Sequence, residues 1–156
     1  MIRKLHVFDF DGTLVDSSHR YRTAECGTRI DLAHWRANAY RAADDKPLPL
    51  LHRMNAMRYH PAHFCMIATA RVWDSYSQDY VCEHGIDIPV VARLGDWDTR
   101  SGVELKVTGI RQWLSHPLLD NVREIHVYED NLQYLHGICA AFPNTVGHYC
   151  PSTQGH

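Results

Sequence analysis

The segment Lys4–Val15 reads KLHVFDFDGTLV, an apolar run that leads into two aspartates and a turn. Residues 4–9 are expected to form a short buried strand that ends in the carboxylate of Asp9, and Asp11-Gly12 then predicts a turn. An Asp-Gly pair by itself is far more often an ordinary turn than part of an active site. Whether this pair carries chemistry therefore depends on what the rest of the chain places beside it.

The composition is that of an ordinary globular protein of 156 residues, with 45% apolar and 22% charged residues. A formal net charge of −2 argues against nonspecific duplex binding, although it leaves room for a local basic patch. Five cysteines without C-x-x-C spacing predict a reducing, cytoplasmic location. The N-terminal apolar run is broken at Asp9 and Asp11, so the sequence predicts neither a signal peptide nor a membrane span.

Histidine is frequent, with twelve residues in the chain. The sequence contains no His-Glu-x-x-His motif and no paired cysteines that would complete a zinc site. If several histidines are buried in the neutral form, the protein should lose stability in acid.

Apolar runs typical of strands alternate with segments typical of helices along the remaining chain. Strands are predicted at 63–69, 88–92, 124–128 and 145–149. Helices are predicted at 31–43, from Pro47 onward, and at 73–84, 103–114 and 131–141. This alternation predicts one α/β domain over residues 1–156, with three layers and a central, mostly parallel sheet as in Rossmann-like folds. Residues 16–30 are expected to form a small flap, and residues 151–156 are expected to fray.

Reactive side chains follow three of the predicted strands, at the point where each strand ends. These side chains are Asp9 and Asp11, Thr69 and Arg71, and Glu129 and Asp130. Lys106 lies near the start of a helix between the last two pairs. Ligands of open parallel sheets bind in a crevice outside the carboxyl ends of the strands, so we expect these groups to form one site.

Four of these positions resemble the motifs of one known superfamily. Residues 7–15 closely resemble the first motif of the haloacid dehalogenase-like (HAD) superfamily. Thr69 is similar to its second motif, Lys106 to its third, and Glu129-Asp130 to its fourth. The resemblance implies an HAD-like fold and a phosphatase.

A finer resemblance links the chain to the phosphatase domain of bacteriophage-type polynucleotide kinase–phosphatases, nucleic-acid repair enzymes that remove 3′-phosphates. It rests on DGTL at 11–14, SHR at 18–20, DKP at 45–47, TAR at 69–71, GD at 95–96 and YED at 128–130. Ala70 stands where that family usually has glycine, and Asn131 where it often has arginine.

The HAD resemblance implies that Asp9 is a covalent nucleophile and that Asp11 is the general acid and base. Thr69 and Lys106 would hold the phosphoryl group during transfer. Further substrate contacts are expected from Gly12, Thr13, Ala70 and Arg71. Gly12 has no side chain, so backbone amides at that turn are expected to approach the phosphate.

Magnesium is the cofactor that this chemistry requires, because a carboxylate that attacks a phosphate anion needs a cation between them. Asp9 can give one oxygen to the metal and the other to phosphorus. The resemblance adds the backbone carbonyl of Asp11 and the carboxylate of Asp130 as ligands. Glu129 is expected in the outer shell, near Lys106.

The substrate is inferred from the space between motifs. Thr69 follows Thr13 by 56 positions and Lys106 follows Arg71 by 35, and predicted helices and strands fill most of both gaps. No large cap domain fits, and an open site suits removal of 3′-phosphates from nucleic-acid ends. That hypothesis expects a row of backbone-phosphate contacts from Arg20, Arg71, Arg93 and Arg100. Trp97 is the tryptophan expected to touch a base, whereas the other three are assigned to the core.

Two other functions are compatible with the same motifs. The first is a small-molecule phosphatase that acts on nucleoside monophosphates, since an open site admits these as well. The second is a non-catalytic adaptor that binds a phosphorylated partner. The chain has no G-x-x-x-x-G-K-[ST] phosphate loop, so a kinase or ligase partner would have to be a separate chain.

Overall fold

The computed structural model describes residues 1–154 of the chain. Its seven strands are β1 (Lys4–Phe8), β2 (Val15–Asp16), β3 (Lys46–Pro47), β4 (His63–Val72), β5 (Val90–Arg93), β6 (Glu124–Glu129) and β7 (Thr145–Tyr149). Five of them form a parallel sheet in the order β5-β4-β1-β6-β7, and β2 pairs with β3 in a separate antiparallel ladder. The predicted mostly parallel α/β sheet of an HAD-like fold is confirmed, and the described residues contain no large cap.

Five α-helices connect these strands. They are α1 (Leu32–Ala37), α2 (Pro49–Met57), α3 (Ser75–Glu83), α4 (Gly102–Leu114) and α5 (Leu132–Ala141). Side-chain oxygens cap the N-termini of α1, α3, α4 and α5, from Asp31, Asp74, Ser101 and Asn131. Within residues 1–154, no helix combines the length and the apolar character that crossing a membrane requires.

Two of the helix boundaries predicted from the sequence are wrong. The predicted helix 31–43 is interrupted at Asn38, whose side-chain amide donates to the carbonyl of His34 (2.9 Å), and a 3-10 helix (Ala39–Asp44) follows. Such local side-chain bonds compete with helix continuation. The next helix begins at Pro49 and not at Pro47, because Lys46–Pro47 pairs with β2.

Alternate residues of β1 enter two different cores, one on each face of the sheet. Leu5 and Val7 pack with residues of α4 and α5, whereas Phe8 packs with residues of α2 and α3. A sheet that is covered on both faces needs apolar side chains in both directions, which explains the nearly continuous apolar run.

His6 interrupts the apolar run within a row of stacked histidines. Its ring centroid lies 4.8 Å from that of His63 on β4 and 4.9 Å from that of His126 on β6, and His126 contacts His148 on β7 at 2.8 Å between ring nitrogens. Burial and, to a smaller extent, the charges of the neighbouring histidines and of Lys4 together lower the pKa of His6 to about 3. The folded protein therefore keeps His6 neutral at pH values where a free histidine is charged.

We expect the wild type to lose stability relative to His6→Phe as pH is lowered from 7 to 5, because His6 is held neutral in the folded protein. The unfolded chain binds a proton on His6 near pH 6.5 and the folded chain does not, which removes up to about 1.4 kcal/mol per pH unit. Melting temperatures at pH 7, 6 and 5 measure this. Between pH 7 and 5 the melting temperature of His6→Phe should therefore rise relative to that of the wild type, whereas that of His52→Phe, at an exposed histidine, should not. If the melting temperatures of the wild type and of His6→Phe depended equally on pH, the assignment of this effect to His6 would be contradicted.

Candidate active site

The carboxyl ends of three adjacent strands meet at one cleft. Asp9 follows β1, Thr69 lies near the end of β4, and Asp130 follows β6, and these strands are neighbours in the order β4-β1-β6. The cleft, of about 880 Å³, is lined by the predicted residues Asp9, Asp11, Thr69, Ala70, Arg71, Glu129 and Asp130. Gly12, Thr13 and Lys106 are buried beneath this surface.

Lys106 enters the site from α4 and is 1% exposed. Its Nζ donates to Asp9 Oδ1 (2.8 Å) and to Glu129 Oε2 (2.5 Å), so one ammonium joins α4 to the ends of β1 and β6. Burial alone would lower the pKa of Lys106, but the two carboxylates outweigh it and raise the pKa above its ordinary value. Lys106 is therefore charged at physiological pH.

Three buried carboxylates lie around that ammonium. Ligand oxygens of Asp9, Glu129 and Asp130 all lie within 4.8 Å of one another. Burial and the charge of Asp9 raise the pKa of Asp130 to about 9 and that of Glu129 to about 7. Carboxylate oxygens in excess of nearby positive charge are the ligand set that divalent cations such as magnesium prefer, so these residues fit a divalent metal.

Glu129 and Asp130 differ in how their oxygens are used. Glu129 accepts from Lys106 at Oε2 and from the backbone amide of Asn131 at Oε1 (3.2 Å). Asp130 Oδ2 accepts from Ser152 Oγ (2.6 Å). Both Glu129 oxygens have donors within the protein, which is compatible with the expected outer-shell position of Glu129, and the direct ligand role of Asp130 stays a prediction.

Asp11 is half-buried, two residues after Asp9. Its Oδ1 accepts from Ser17 Oγ (2.9 Å) and from Arg71 Nη1 (3.1 Å). Burial raises the pKa of Asp11, the charges of Arg71 and Arg20 oppose that rise, and the net direction is upward. A carboxyl group with a raised pKa is suited to give up a proton near neutral pH.

Gly12 and Thr13 complete the turn below Asp9. Thr13 Oγ1 donates to Asp9 Oδ2 (3.2 Å), and the Gly12 amide donates to the carbonyl of Val15 (2.8 Å). Gly12 has a φ of 80°, and a Cβ there would lie 2.2 Å from Asp130 Oδ2. Glycine is therefore required here for the close approach of Asp130, and the expectation that backbone amides at this turn approach the phosphate stays a prediction.

Two of the four arginines expected to contact a nucleic-acid backbone, the buried Arg20 and the half-buried Arg93, donate to partners within the protein. Arg20 is 2% exposed, donates to both oxygens of Asp45 (2.9 and 2.8 Å) and stacks on Trp35 at 4.0 Å. Arg93 donates to three backbone carbonyls, those of Ala70, Asp98 and Arg100. Both arginines would have to give up these contacts to bind a nucleic-acid backbone, and the expected row of phosphate contacts stays a prediction.

Arg71 and Arg100 line the cleft, as Arg93 does, and they also have partners within the protein. Arg100 donates to both oxygens of Asp98 (2.9 and 2.7 Å). Arg71 contacts Ser77 as well as Asp11. Of the four, Arg71 is the one that reaches the predicted catalytic groups.

The flap, defined here as residues 21–39, forms one wall of the cleft. It contains α1 and an antiparallel bridge between Thr23 and Ile30. Arg36 in the flap pairs with Asp96 at 2.8 Å, which links the flap to the loop after β5. The flap is larger than the predicted 16–30 segment because α1 belongs to it.

Four aromatic residues line the cleft, and none of them was predicted as a site residue: Tyr21, Trp35, Tyr76 and Tyr134. Trp35, assigned to the core from the sequence, lies in the flap, and Tyr76 opens α3 and is 46% exposed. Trp97, the residue expected to touch a base, is 73% exposed and is not among the lining residues. Sequence alone gave no means to separate a tryptophan that faces a cleft from one that faces the core.

Three polar residues that hold the predicted catalytic carboxylates, two directly and one through another residue, were also missed. Ser17 donates to Asp11 and Ser152 to Asp130, and Gln154 contacts Ser17. Ser152 and Gln154 lie in the segment that was expected to fray, of which residues 155 and 156 are outside the described residues.

The family model of the bacteriophage T5 5′-deoxynucleotidase matches residues 1–89. The chain belongs to this family. The matched range contains Asp9, Asp11, the whole flap, Thr69 and Arg71, which are the catalytic turn and most of the cleft wall. The expected phosphatase class is confirmed. No curated protein sequence matches the chain.

Solved structures with an HAD-like fold resemble this chain along its whole length. The HAD domain of the effector protein Lem4 from Legionella pneumophila has a TM-score of 0.62 at 16% identity, covering 98% of this chain and 88% of that one. CbbY from Rhodobacter sphaeroides, in complex with phosphate, has a TM-score of 0.64 at 14% identity, covering 100% and 89%. A chain of the Pnkp1/Rnl/Hen1 RNA repair complex has a TM-score of 0.63 at 13% identity, covering 97% and 44%. These likenesses show the fold.

We expect Asp130→Asn to raise the melting temperature in EDTA and to abolish the stabilisation by magnesium. The substitution removes one of three crowded buried carboxylates, and it also removes a ligand. Magnesium at 100 times its dissociation constant should stabilise the wild type by about 2.7 kcal/mol, a rise of several degrees. Scanning calorimetry with magnesium and with EDTA measures both effects. The matched control is Asp120→Asn, at an exposed aspartate, and the prediction fails if the two variants respond alike.

Proposed function

We propose that this protein is a magnesium-dependent 5′-nucleotidase that hydrolyses nucleoside 5′-monophosphates, with deoxynucleotides as the preferred substrates. The observation that carries the proposal is the match to the T5 5′-deoxynucleotidase family across the catalytic turn and the whole flap. The cleft volume also falls within the range of roughly 300–1,000 Å³ that is typical of small-molecule sites.

In the first step, a carboxylate oxygen of Asp9 attacks phosphorus and the bond between phosphorus and the ester oxygen breaks. Asp11 gives its proton to the leaving oxygen, which departs as the nucleoside hydroxyl. Thr13 and Lys106 hold the Asp9 carboxylate during the attack, because each donates to one of its oxygens. Thr69 and Arg71 line the cleft beside Asp9 and bind the phosphoryl oxygens.

In the second step, water attacks the phosphorus of the aspartyl-phosphate and gives its proton to Asp11. The bond between phosphorus and the Asp9 oxygen breaks, which restores the Asp9 carboxylate and frees inorganic phosphate. The carboxylates of Asp9 and Asp130 and the backbone carbonyl of Asp11 would hold magnesium. When bound, the metal neutralises charge between the nucleophile and the phosphate.

A mononucleotide suits this cleft better than a nucleic-acid end. The flap and the Arg36–Asp96 pair narrow the cleft on one side, so the site is less open than the sequence suggested. Arg20 and Arg93, expected to bind a nucleic-acid backbone, are occupied by internal partners. Removal of 3′-phosphates was the leading sequence-based hypothesis, and the nucleotide alternative now has the stronger support.

A non-catalytic adaptor is the least supported of the three functions. Asp9 and Asp11 are both present at the cleft, and Lys106 and Thr13 hold the nucleophile. An adaptor would have no need of a carboxyl group with a raised pKa beside the nucleophile. The cytoplasmic location and a separate kinase or ligase partner stay predictions.

Phosphate release from a substrate panel tests the proposal. The panel contains 5′-deoxynucleotides and 5′-ribonucleotides of each base, one 3′-phosphorylated and one 5′-phosphorylated oligonucleotide, and p-nitrophenyl phosphate. We expect magnesium-dependent release with the highest kcat/KM on deoxynucleotides, and none from Asp9→Asn. A preference for the 3′-phosphorylated oligonucleotide would restore the end-healing hypothesis. No release above the Asp9→Asn blank would contradict the phosphatase mechanism itself.

Tyr76→Ala should raise KM for deoxynucleotides about tenfold, because stacking of a base on an aromatic ring contributes roughly 1–3 kcal/mol. Tyr76 is exposed and lines the cleft, so it is available for such a contact. KM for p-nitrophenyl phosphate should change less, since that substrate has no base. Tyr59→Ala, at a 73% exposed tyrosine outside the cleft lining, is the matched control. A similar KM for deoxynucleotides in both variants would exclude Tyr76 from base binding.

A further inference from the structure

The C-terminal segment, defined here as residues 150–154, returns to the catalytic edge after β7. The amide of Cys150 donates to the carbonyl of Glu129 (2.9 Å), which carries the pairing of β7 with β6 one residue beyond the strands. The segment therefore leaves the sheet beside Asp130. Its next polar side chains, Ser152 and Gln154, are half-buried.

Ser152 is fixed between a donor and an acceptor. Its Oγ accepts from the backbone amide of Gln154 (3.0 Å) and donates to Asp130 Oδ2 (2.6 Å). A hydroxyl has one proton to give, so the incoming amide directs that proton toward the carboxylate. Gly12 leaves the room for this contact, because a Cβ there would lie 2.5 Å from the Ser152 oxygen.

Ser17 is held in the same way by the side chain of Gln154. The Gln154 Nε2 donates to Ser17 Oγ (2.7 Å), and its Oε1 accepts from the Ser17 amide (3.3 Å). Ser17 Oγ then donates to Asp11 Oδ1. Ser17 is fully buried, so water does not compete for this hydroxyl. One residue, Gln154, thus orients two hydroxyls, each toward a different carboxylate.

We propose that the C-terminal segment positions both carboxylates that act beside the nucleophile, with Ser152 orienting Asp130 and Gln154 orienting Asp11 through Ser17. The inference rests on the proposed roles of Asp11 as acid and Asp130 as metal ligand. It does not depend on which phosphate ester is the substrate. Ser17, Ser152 and Gln154 are positioning residues, since each acts through another group.

The hydrogen bond from Gln154 to Ser17 affects the proton transfer proposed for Asp11, because Ser17 in turn donates to Asp11. Arg71 also donates to Asp11 Oδ1, so without Ser17 the carboxyl group would be oriented by Arg71 alone. An alkyl phosphate needs its leaving oxygen protonated, whereas p-nitrophenolate leaves without a proton. General acid catalysis contributes typically 10²- to 10⁴-fold, so a displaced Asp11 should slow alkyl esters selectively.

The first test compares kcat/KM, which reports the steps through phosphorylation of Asp9, for an alkyl phosphate and for p-nitrophenyl phosphate. The alkyl ester is the deoxynucleotide turned over fastest, or glycerol phosphate if none is. Gln154→Ala should lower kcat/KM for the alkyl ester about tenfold or more and for p-nitrophenyl phosphate less than about threefold. Equal losses on both esters, or no loss on either, would overturn the role of Gln154.

The second test measures magnesium binding by calorimetry and needs no turnover. Loss of an outer-shell partner typically weakens metal binding about 10- to 100-fold, so Ser152→Ala should raise the magnesium dissociation constant about tenfold. Ser152→Thr, which keeps the hydroxyl, should bind as the wild type does. Gln154→Ala keeps its backbone amide and should change the constant less than about twofold. Wild-type affinity in Ser152→Ala would overturn the role of Ser152.

Thr153→Ala is the matched control for both tests, because Thr153 is exposed and lies between the two positioning residues. It should leave the ester ratio and the magnesium affinity unchanged. If it reproduces either defect, the segment acts by general packing and the assignment to Ser152 and Gln154 is wrong. A wild-type protein without turnover on any ester would refute the phosphatase proposal, while the binding test would still decide the role of Ser152.

Discussion

The ammonium of Lys106 is the contact on which the catalytic edge depends. It lies between Asp9 and Glu129, almost fully buried, and connects α4 to the ends of two neighbouring strands. Burying an ion is expensive unless it is paired, so neither the lysine nor the carboxylates would be stable here alone. The pairing still leaves an excess of negative charge among three carboxylates. The same contact that stabilises the fold therefore creates the need for a divalent cation.

Parallel pairing explains why these groups meet at all. In the order β4-β1-β6, the strands that carry Thr69, Asp9 and Asp130 are direct neighbours, and parallel strands end at the same edge. The pairing of β4 with β5 shifts register between Ala68 and Val72, the stretch that carries Thr69 and Arg71. Such irregularities often occur beside active sites, where they redirect side chains out of the regular ladder.

Local patterns explain which parts of this site could be predicted. A short buried strand and a turn, only a few residues long, predict Asp9 and Asp11 as site residues. The parallel order of the strands predicts that both lie at the carboxyl edge of the sheet. Trp35 could not be assigned to the cleft from the sequence. It lies on α1, which belongs to the flap, so its apolar side chain does not indicate a place in the core. Arg20 was expected to reach a substrate, but Asp45, 25 positions away, holds it inside the protein. Contacts between distant positions leave no periodic signal in the sequence.

The donors that hold the carboxylates come from separate parts of the chain. Lys106 belongs to α4 and Arg71 to β4, while Ser17 is fixed by Gln154, 137 positions later. Like charges at this density repel, so each carboxylate needs its own donor in place before the site is stable. The family match ends at residue 89, before Lys106, Asp130 and Gln154. The turn that carries Asp9 and Asp11 is thus a local feature of the sequence, whereas the donors that hold its carboxylates come from both halves of the chain.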